Sequence, residues 1–271
     1  MTQSTTTLAS VFGKTRAEGR AALIGYLPAG FPTKEGGVAA ASAMVESGCD
    51  VIEIGLPYSD PLMDGPTIQD AVHRSLTNRT RIADVLRTVE GVAATGAATL
   101  VMTYWNPIDR YGAERFARDL ADAGGAGTIT PDLTPEESQE WREASAKAGI
   151  DTVFLVAPSS TEERIAAVTE CCSGFVYAAS LMGVTGARES VGSAAESLVK
   201  RTRSHTELPV CVGLGVGTGA QAAEVAGYAD GVIVGSAFCR RLLDAPDEAA
   251  GLRAVGELAA ELAAGVRRSG H

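Results

Sequence analysis

The run Val51-Ile52-Glu53-Ile54-Gly55 places one carboxylate inside an apolar, β-branched segment whose composition specifies an extended strand. Side chains alternate along a strand, so Ile52 and Ile54 face one layer while Val51, Glu53 and Gly55 face the opposite one, toward an interior. An unpaired carboxylate taken out of water either finds a partner or has its pKa driven toward neutrality, which is what a general acid or base requires. Two readings stand at this point: a structural glutamate satisfied by a neighbour, and a catalytic acid/base. The segment that follows, Leu56 to Thr67, holds three prolines and two aspartates, Asp60 and Asp64. Such a stiffened loop can hold Asp64 over the mouth of the interior, although turn formation or helix capping would account for either aspartate equally well.

A second group of residues has anion chemistry. Gly183-Val184-Thr185-Gly186, Gly213-Leu214-Gly215-Val216-Gly217 and Gly235-Ser236 each follow an apolar run late in the chain. Backbone N–H groups in such loops, with the N-terminus of the helix expected near Ala237, can cradle a phosphate without lysine or arginine. The competing reading is three independent turns. Gly215 to Ala220 also matches GxGxxA, but a dinucleotide fingerprint opens the first βαβ unit, and here only one strand remains downstream. Tyr177 shares a strand face with Phe175 and is expected to point inward beside Glu53, as pocket wall or as core packing. Residues 180–193 have the Ser/Gly/Thr composition of a lid or of a plain linker.

Other chemistries are disfavoured. His73, His205 and His271 lack metal-ligand spacing, no GxSxG occurs, and Lys14, Lys34, Lys147 and Lys200 fall in loop or helix contexts unsuited to a Schiff-base lysine in a strand. The formal net charge of −10 opposes broad attraction to nucleic acid or an anionic membrane. Five cysteines without a CxxC pair read as reduced thiols, and no apolar stretch reaches a membrane span, so a cytoplasmic location is expected.

These residues need a scaffold that brings strand ends together. Eight strand candidates recur, at 22–24, 51–54, 100–103, 127–130, 152–156, 175–178, 210–212 and 231–234, with helical patterns between them at 38–45, 82–92, 114–123, 136–148, 162–169, 194–202 and 220–226. Thr134 with Pro135 and Glu137, and Ser160 with Glu163, carry capping-box signatures, and a helix over 247–267 ends the pattern. This alternation without a linker predicts one (β/α)₈ barrel domain over 1–271, with an open doubly wound sheet as the structural alternative.

The segment from Glu53 to Gln69, Glu-Ile-Gly-Leu-Pro-Tyr-Ser-Asp-Pro-Leu-Met-Asp-Gly-Pro-Thr-Ile-Gln, resembles the tryptophan synthase alpha subunit family. The resemblance extends over almost the whole chain, through Gly30 and Pro32, Asn106-Pro107, Pro131-Asp132-Leu133, Gly183 to Gly186 and the two later glycine loops. It implies a TIM-barrel lyase that cleaves indole-3-glycerol phosphate to indole and glyceraldehyde 3-phosphate. By the same resemblance Glu53 protonates indole C3 and assists loss of the side-chain hydroxyl proton, while Asp64 accepts the indole N–H. Tyr26, Tyr177 and Leu214 would line the indole and glycerol pocket, and Thr185, Gly186, Gly215, Gly235 and Ser236 would bind the substrate at its phosphate end. The family implies no cofactor on this chain, and a beta subunit carrying pyridoxal phosphate in an α₂β₂ assembly, with the loop at 56–66 forming part of the contact; Pro57, Tyr58, Leu62 and Met63 are expected to be exposed on the rim, as a partner patch or equally as a cover for the substrate. Gly25, Pro28, Phe31, Leu181 and Leu214 depart from the family pattern. A sugar-phosphate isomerase on a similar barrel, or a chiefly regulatory partner, are the competing functions.

Overall fold

Each of the eight apolar runs forms parallel strand. The computed structural model describes residues 6–179, 188–213 and 215–267. The strands are β1 (Ala22–Pro28), β2 (Val51–Gly55), β3 (Ala98–Met102), β4 (Gly127–Ile129), β5 (Asp151–Val153), β6 (Leu155–Val156), β7 (Val176–Ala179), β8 (Val210–Gly213) and β9 (Gly231–Val234). Their order across the sheet is β5-β4-β3-β2-β1-β9-β8-β7-β6. The two ends of that order are consecutive in the chain and separated only by Phe154, so the sheet closes on itself and the open doubly wound alternative is excluded.

The closure corrects one expectation: the run at 152–156 is two short strands, not one. Val153 and its neighbours pair with β4, whereas Leu155 and Val156 pair with β7. Phe154 bends the backbone between the two partners, its carbonyl accepting from Tyr177 N at 3.1 Å. The strand that joins the barrel's edges must serve both neighbours, and the bend at Phe154 is how it does so.

The ring of helices is α1 (Leu8–Ala17), α2 (Lys34–Glu46), α3 (Pro66–Thr77), α4 (Ile82–Ala93), α5 (Trp105–Tyr111), α6 (Ala113–Asp122), α7 (Gln139–Ala148), α8 (Glu162–Cys171), α9 (Arg188–Arg203), α10 (Gly219–Ala226), α11 (Ser236–Leu243) and α12 (Glu248–Arg267). α12 packs across α10 and α2 and completes the outer layer. Sequence patterns missed α1, α3 and α5. Helix α5 has only seven residues, α3 begins at a proline, and the inward stripe of α1 is one turn of apolar residues, Leu8, Val11 and Phe12, continued by polar Thr15, so each gives a short periodic signal. Both capping boxes also differ from expectation. Thr134 Oγ1 bonds the Glu137 carboxylate at 3.0 Å at the head of a single 3₁₀ turn, Pro135–Glu137, instead of capping a backbone amide. Helix α8 is capped by Thr161, whose Oγ1 accepts from Arg164 N at 3.2 Å, while Ser160 Oγ accepts from Ala157 N in the preceding turn.

Strand alternation sorts the core into two layers. Ile52 and Ile54 pack outward with Val101, Val212 and Val234 against the helices. Val51, Leu100, Ile129, Phe175 and Ile233 fill the lumen, where Leu8, Val11 and Phe12 of α1 plug the lower end. Phe12 meets Phe175 edge-on, with ring centroids 5.8 Å apart. At the same end Arg20 is buried and forks onto Asp50 at 2.7 and 2.8 Å, while Asp50 also accepts Leu23 N at 2.9 Å. Without Asp50 the buried guanidinium keeps only the more exposed Glu18 carboxylate at 2.7 Å as a charged partner among the described residues, so Asp50→Ala is expected to cost about 3 kcal/mol in urea unfolding. Adding Arg20→Met to that variant should recover part of the loss.

Candidate active site

Glu53 sits in the middle of β2, opposite Tyr26 of β1 and Leu100 of β3. The alternation that sends Ile52 and Ile54 to the helices turns Glu53 into the lumen, where it is 1% exposed and lines a cavity of about 990 Å³. Its Oε1 is buried with no hydrogen-bond partner among the described residues. Burial alone pushes its pKa up to about 8, so the structure places a largely protonated carboxyl at the floor of the cavity at neutral pH. Among the described residues no neighbour satisfies Oε1, which counts against the structural reading of a glutamate held by a partner.

The cavity opens at the C-terminal ends of the strands, the face on which barrels carry their active sites. Asp64 lines it from the loop after β2 and is half-buried, which raises its pKa above the ordinary carboxylate value. Its backbone carbonyl accepts from Gln69 Nε2 at 2.8 Å, tying it to the first turn of α3. Tyr26 and Tyr177 form two walls, with burial the first cause of a raised pKa in each phenol. Two glycines make room for them. A Cβ on Gly55 would stand 2.3 Å from the Tyr26 hydroxyl, and one on Gly213 would stand 2.3 Å from that of Tyr177.

Across the mouth lie Gly215, Gly235 and Ser236. Gly215 has φ +70°, a left-handed conformation that favours glycine. Gly235 precedes α11, and no side chain caps that helix, so its first amides face an anion site without an internal competitor. Two of the three glycine clusters therefore meet at one cavity. Thr185, Gly186 and Leu214, with Leu181, Gly183 and Val184, lie outside the described residues. The GxGxxA match has a packing explanation: Thr218 caps α10, and Gly219 N donates to the Glu261 carboxylate of α12 at 2.8 Å.

Several lining residues escaped the sequence reading. Met102, Leu155 and Ile233 share the inward parity of Glu53 and could have been found by extending the alternation along β3, β6 and β9. Ala157, Pro158 and Ser159 line the cavity from the loop after β6, and their composition is that of any turn. Pro57 is buried and Tyr58 half-buried, so of the four loop residues expected to be exposed only Leu62, at 75%, and Met63, at 50%, are. Two of the family departures turn away from the cavity. A Cβ on Gly25 would strike Met44 in the outer layer, and Phe31 is fully buried. Among the described residues no cluster of three His, Cys, Asp or Glu side chains is placed to hold a metal, and no helix is long and apolar enough to cross a membrane.

A closed parallel α/β barrel with two carboxyl groups and a glycine-lined helix terminus at its C-terminal mouth is the architecture of a TIM-barrel enzyme built for acid–base work. Comparison with known proteins narrows the class: the family model described as tryptophan synthase alpha chain matches residues 12–267, and the chain belongs to that family. It is 65% identical over 253 residues to the tryptophan synthase alpha chain of Streptomyces coelicolor, covering 93% of each chain. It is 60% identical over 265 residues to that of Thermobifida fusca, covering 97% of this chain and 98% of the relative. Among solved structures, Mycobacterium tuberculosis tryptophan synthase superposes with a TM-score of 0.90 at 55% identity, over 97% of this chain and 99% of that one. The alpha subunit from Legionella pneumophila superposes at 0.87 with 32% identity, over 96% and 98%.

The buried Glu53 makes a pH-dependent contribution to stability with a definite sign. Its pKa is raised from the ordinary 4.5 to about 8, so the folded state holds a proton that the unfolded state releases within that window. Wild-type stability should therefore fall relative to Glu53→Gln by about 1.4 kcal/mol per pH unit as pH rises through that window, and the difference should level off above it. Urea unfolding of both proteins at a series of pH values measures this directly. A pH-independent difference would mean that Glu53 is already ionised in the fold.

Proposed function

We propose that this chain is the alpha subunit of a tryptophan synthase, a carbon–carbon lyase that cleaves indole-3-glycerol phosphate to indole and glyceraldehyde 3-phosphate in tryptophan biosynthesis. The observation that carries the reading is Glu53: a buried carboxyl whose Oε1 has no partner among the described residues, facing a cavity that Asp64 and the glycine-lined start of α11 also face. One carboxyl in that position can serve as acid and then as base.

In this reading Glu53 delivers its proton to indole C3, and the C2–C3 π pair forms the new C–H bond. Positive charge develops on the ring nitrogen, whose N–H is held by the Asp64 carboxylate, a charge-assisted bond that strengthens as the charge grows. The Glu53 carboxylate then takes the proton of the hydroxyl on the adjoining side-chain carbon. That oxygen's electrons form the aldehyde C=O, the bond to C3 breaks, and its pair returns to the ring and discharges the nitrogen. Glu53 ends protonated as it began, and atoms balance without water or a cofactor on this chain. Backbone amides of Gly215, Gly235 and Ser236 hold the phosphate, assisted by Thr185 and Gly186, while Tyr26, Tyr177 and Leu214 enclose the indole and glycerol portions.

The partner in this reading is a beta subunit that carries pyridoxal phosphate in an α₂β₂ assembly and receives the indole. Exposed Leu62 and Met63 offer it an apolar contact at the rim of the cavity. The whole chain, 1–271, acts as one barrel domain, with neither nucleic acid nor membrane as partner, in the cytoplasm.

Glu53→Gln should reduce indole release by roughly 10²–10⁴-fold, the range for loss of a general acid/base, while the protein stays folded. Asp64→Asn should cost about 10–100-fold, chiefly in kcat. Incubation with indole-3-glycerol phosphate, with and without a beta subunit, checks both. Triose- or pentose-phosphate turnover without indole would favour an isomerase instead, and substrate-analogue binding with no indole release even in the complex would favour a purely regulatory subunit. Because the acid form of Glu53 starts the reaction and its pKa lies at about 8, kcat/KM should decline as pH rises through that value. A pH–rate profile that stays flat to pH ~10 would remove Glu53 as the initiating acid.

A further inference from the structure

We propose that Tyr104 is the positioning residue for Asp64, its phenol oxygen pinning the backbone of the loop that carries this carboxylate over the cavity. The proposal rests on the lyase reading above and adds a residue to its machinery.

The geometry is specific. Leu62 N and Met63 N, the two amides that immediately precede Asp64, both donate to Tyr104 Oη, at 2.9 and 3.1 Å. A phenol oxygen has two lone pairs, and these amides occupy both. The other bond at this point runs from Gln69 Nε2 to the Asp64 carbonyl at 2.8 Å and ties Asp64 to α3, not to the strand end beneath it. Leu62 is 75% and Met63 50% exposed, so their side chains bury little surface against the barrel. Position is held through the backbone instead.

Tyr104 is a firm post for that purpose. It is buried at the end of β3, its carbonyl accepts from Thr103 Oγ1 at 3.0 Å, and the next amide, Trp105 N, donates to both oxygens of Asp132 at 2.9 and 3.1 Å. Its ring packs on Tyr58 with centroids 5.4 Å apart, and Tyr58 Oη accepts from Asn106 Nδ2 of α5 at 3.1 Å. The loop is thus bound twice to the β3–α5 corner, once through each tyrosine. Burial raises the Tyr104 pKa, and the Asp64 charge adds to the rise, which agrees with a hydroxyl set close to that carboxylate. Misplacing a reacting group by about 1 Å costs up to about 100-fold in rate, so an anchor on the two preceding residues has ample leverage.

Tyr104→Phe deletes the oxygen and keeps the ring. Measured as steady-state indole release, alone and with the beta subunit, kcat is expected to fall about 10- to 100-fold. The melting temperature and the dissociation constant for glycerol 3-phosphate, which probes the opposite side of the mouth, are expected to stay at wild-type values. In an Asp64→Asn background the same change is expected to have no further effect on kcat, because the group it positions is already disabled. Wild-type kcat in Tyr104→Phe overturns the proposal. So does an equal fractional loss in both backgrounds, or a loss that tracks a lowered melting temperature, since each marks a general structural role. A wild-type chain that releases no indole overturns the lyase reading itself, and that outcome is separate from the behaviour of the variants.

Discussion

A carboxyl group buried in the lumen, its Oε1 without a partner among the described residues, is the constraint around which the upper half of this barrel is arranged. Left ionised there it would cost several kcal/mol, and the fold meets that cost by keeping the group protonated up to a pH of about 8. A neighbouring arginine or lysine would have removed the penalty and lowered the pKa, and with it the ability to donate a proton at neutral pH. The surroundings supplied instead are apolar or phenolic: Leu100 across β3, Tyr26 across β1 and Tyr177 from the far side of the cavity. Glycine at 55 and 213 is the steric counterpart, since any side chain there would push a tyrosine hydroxyl out of the space it shares with Glu53.

The same avoidance of fixed positive charge runs across the mouth. None of the described residues lining the cavity is lysine or arginine, although a phosphate is the anion this reading places there. Backbone amides at an uncapped helix start neutralise an anion with partial charges that cannot migrate to a carboxylate. A mobile lysine in the same cavity would pair with Glu53 or Asp64 and depress their pKa values. Backbone recognition thus lets an anion site and a raised-pKa acid occupy one cavity, and it reconciles a net charge of −10 with a phosphorylated substrate.

What could be read from residues alone follows from how local each signal is. The strand alternation around Glu53 is a two-residue rule, and the inward placement of Glu53, Phe175 and Tyr177 came out as that rule requires. The eight runs were legible because parallel strands buried on both faces are apolar throughout. The break at Phe154 was not legible, because it arises from closing the ring and has no local cause in the chain. Helices α1, α3 and α5 were missed for the complementary reason: they are stabilised by where they dock, as Leu8 and Phe12 show in plugging the lumen. Of the cavity walls, Met102 and Ile233 follow from the alternation, whereas Ala157 to Ser159 belong to the site only because the fold brings their loop there. Thr185 and Gly186 rest on the glycine-cluster pattern together with the family resemblance, and Leu214 as a pocket residue on the resemblance.

The two carboxyl groups are held in opposite ways, and the chemistry accounts for the difference. In the proposed reaction Glu53 reaches a ring carbon and then a hydroxyl oxygen on the same substrate, which suits a strand whose neighbours on both sides are in register. In the same proposal Asp64 meets a heterocycle that enters and leaves through the mouth, which suits a position on the loop after β2. Such a loop is useful only if its resting position is correct, and proline stiffening limits its conformations without choosing among them. The choice falls to directional bonds from a rigid neighbour, and those from Leu62 N and Met63 N to Tyr104 supply it.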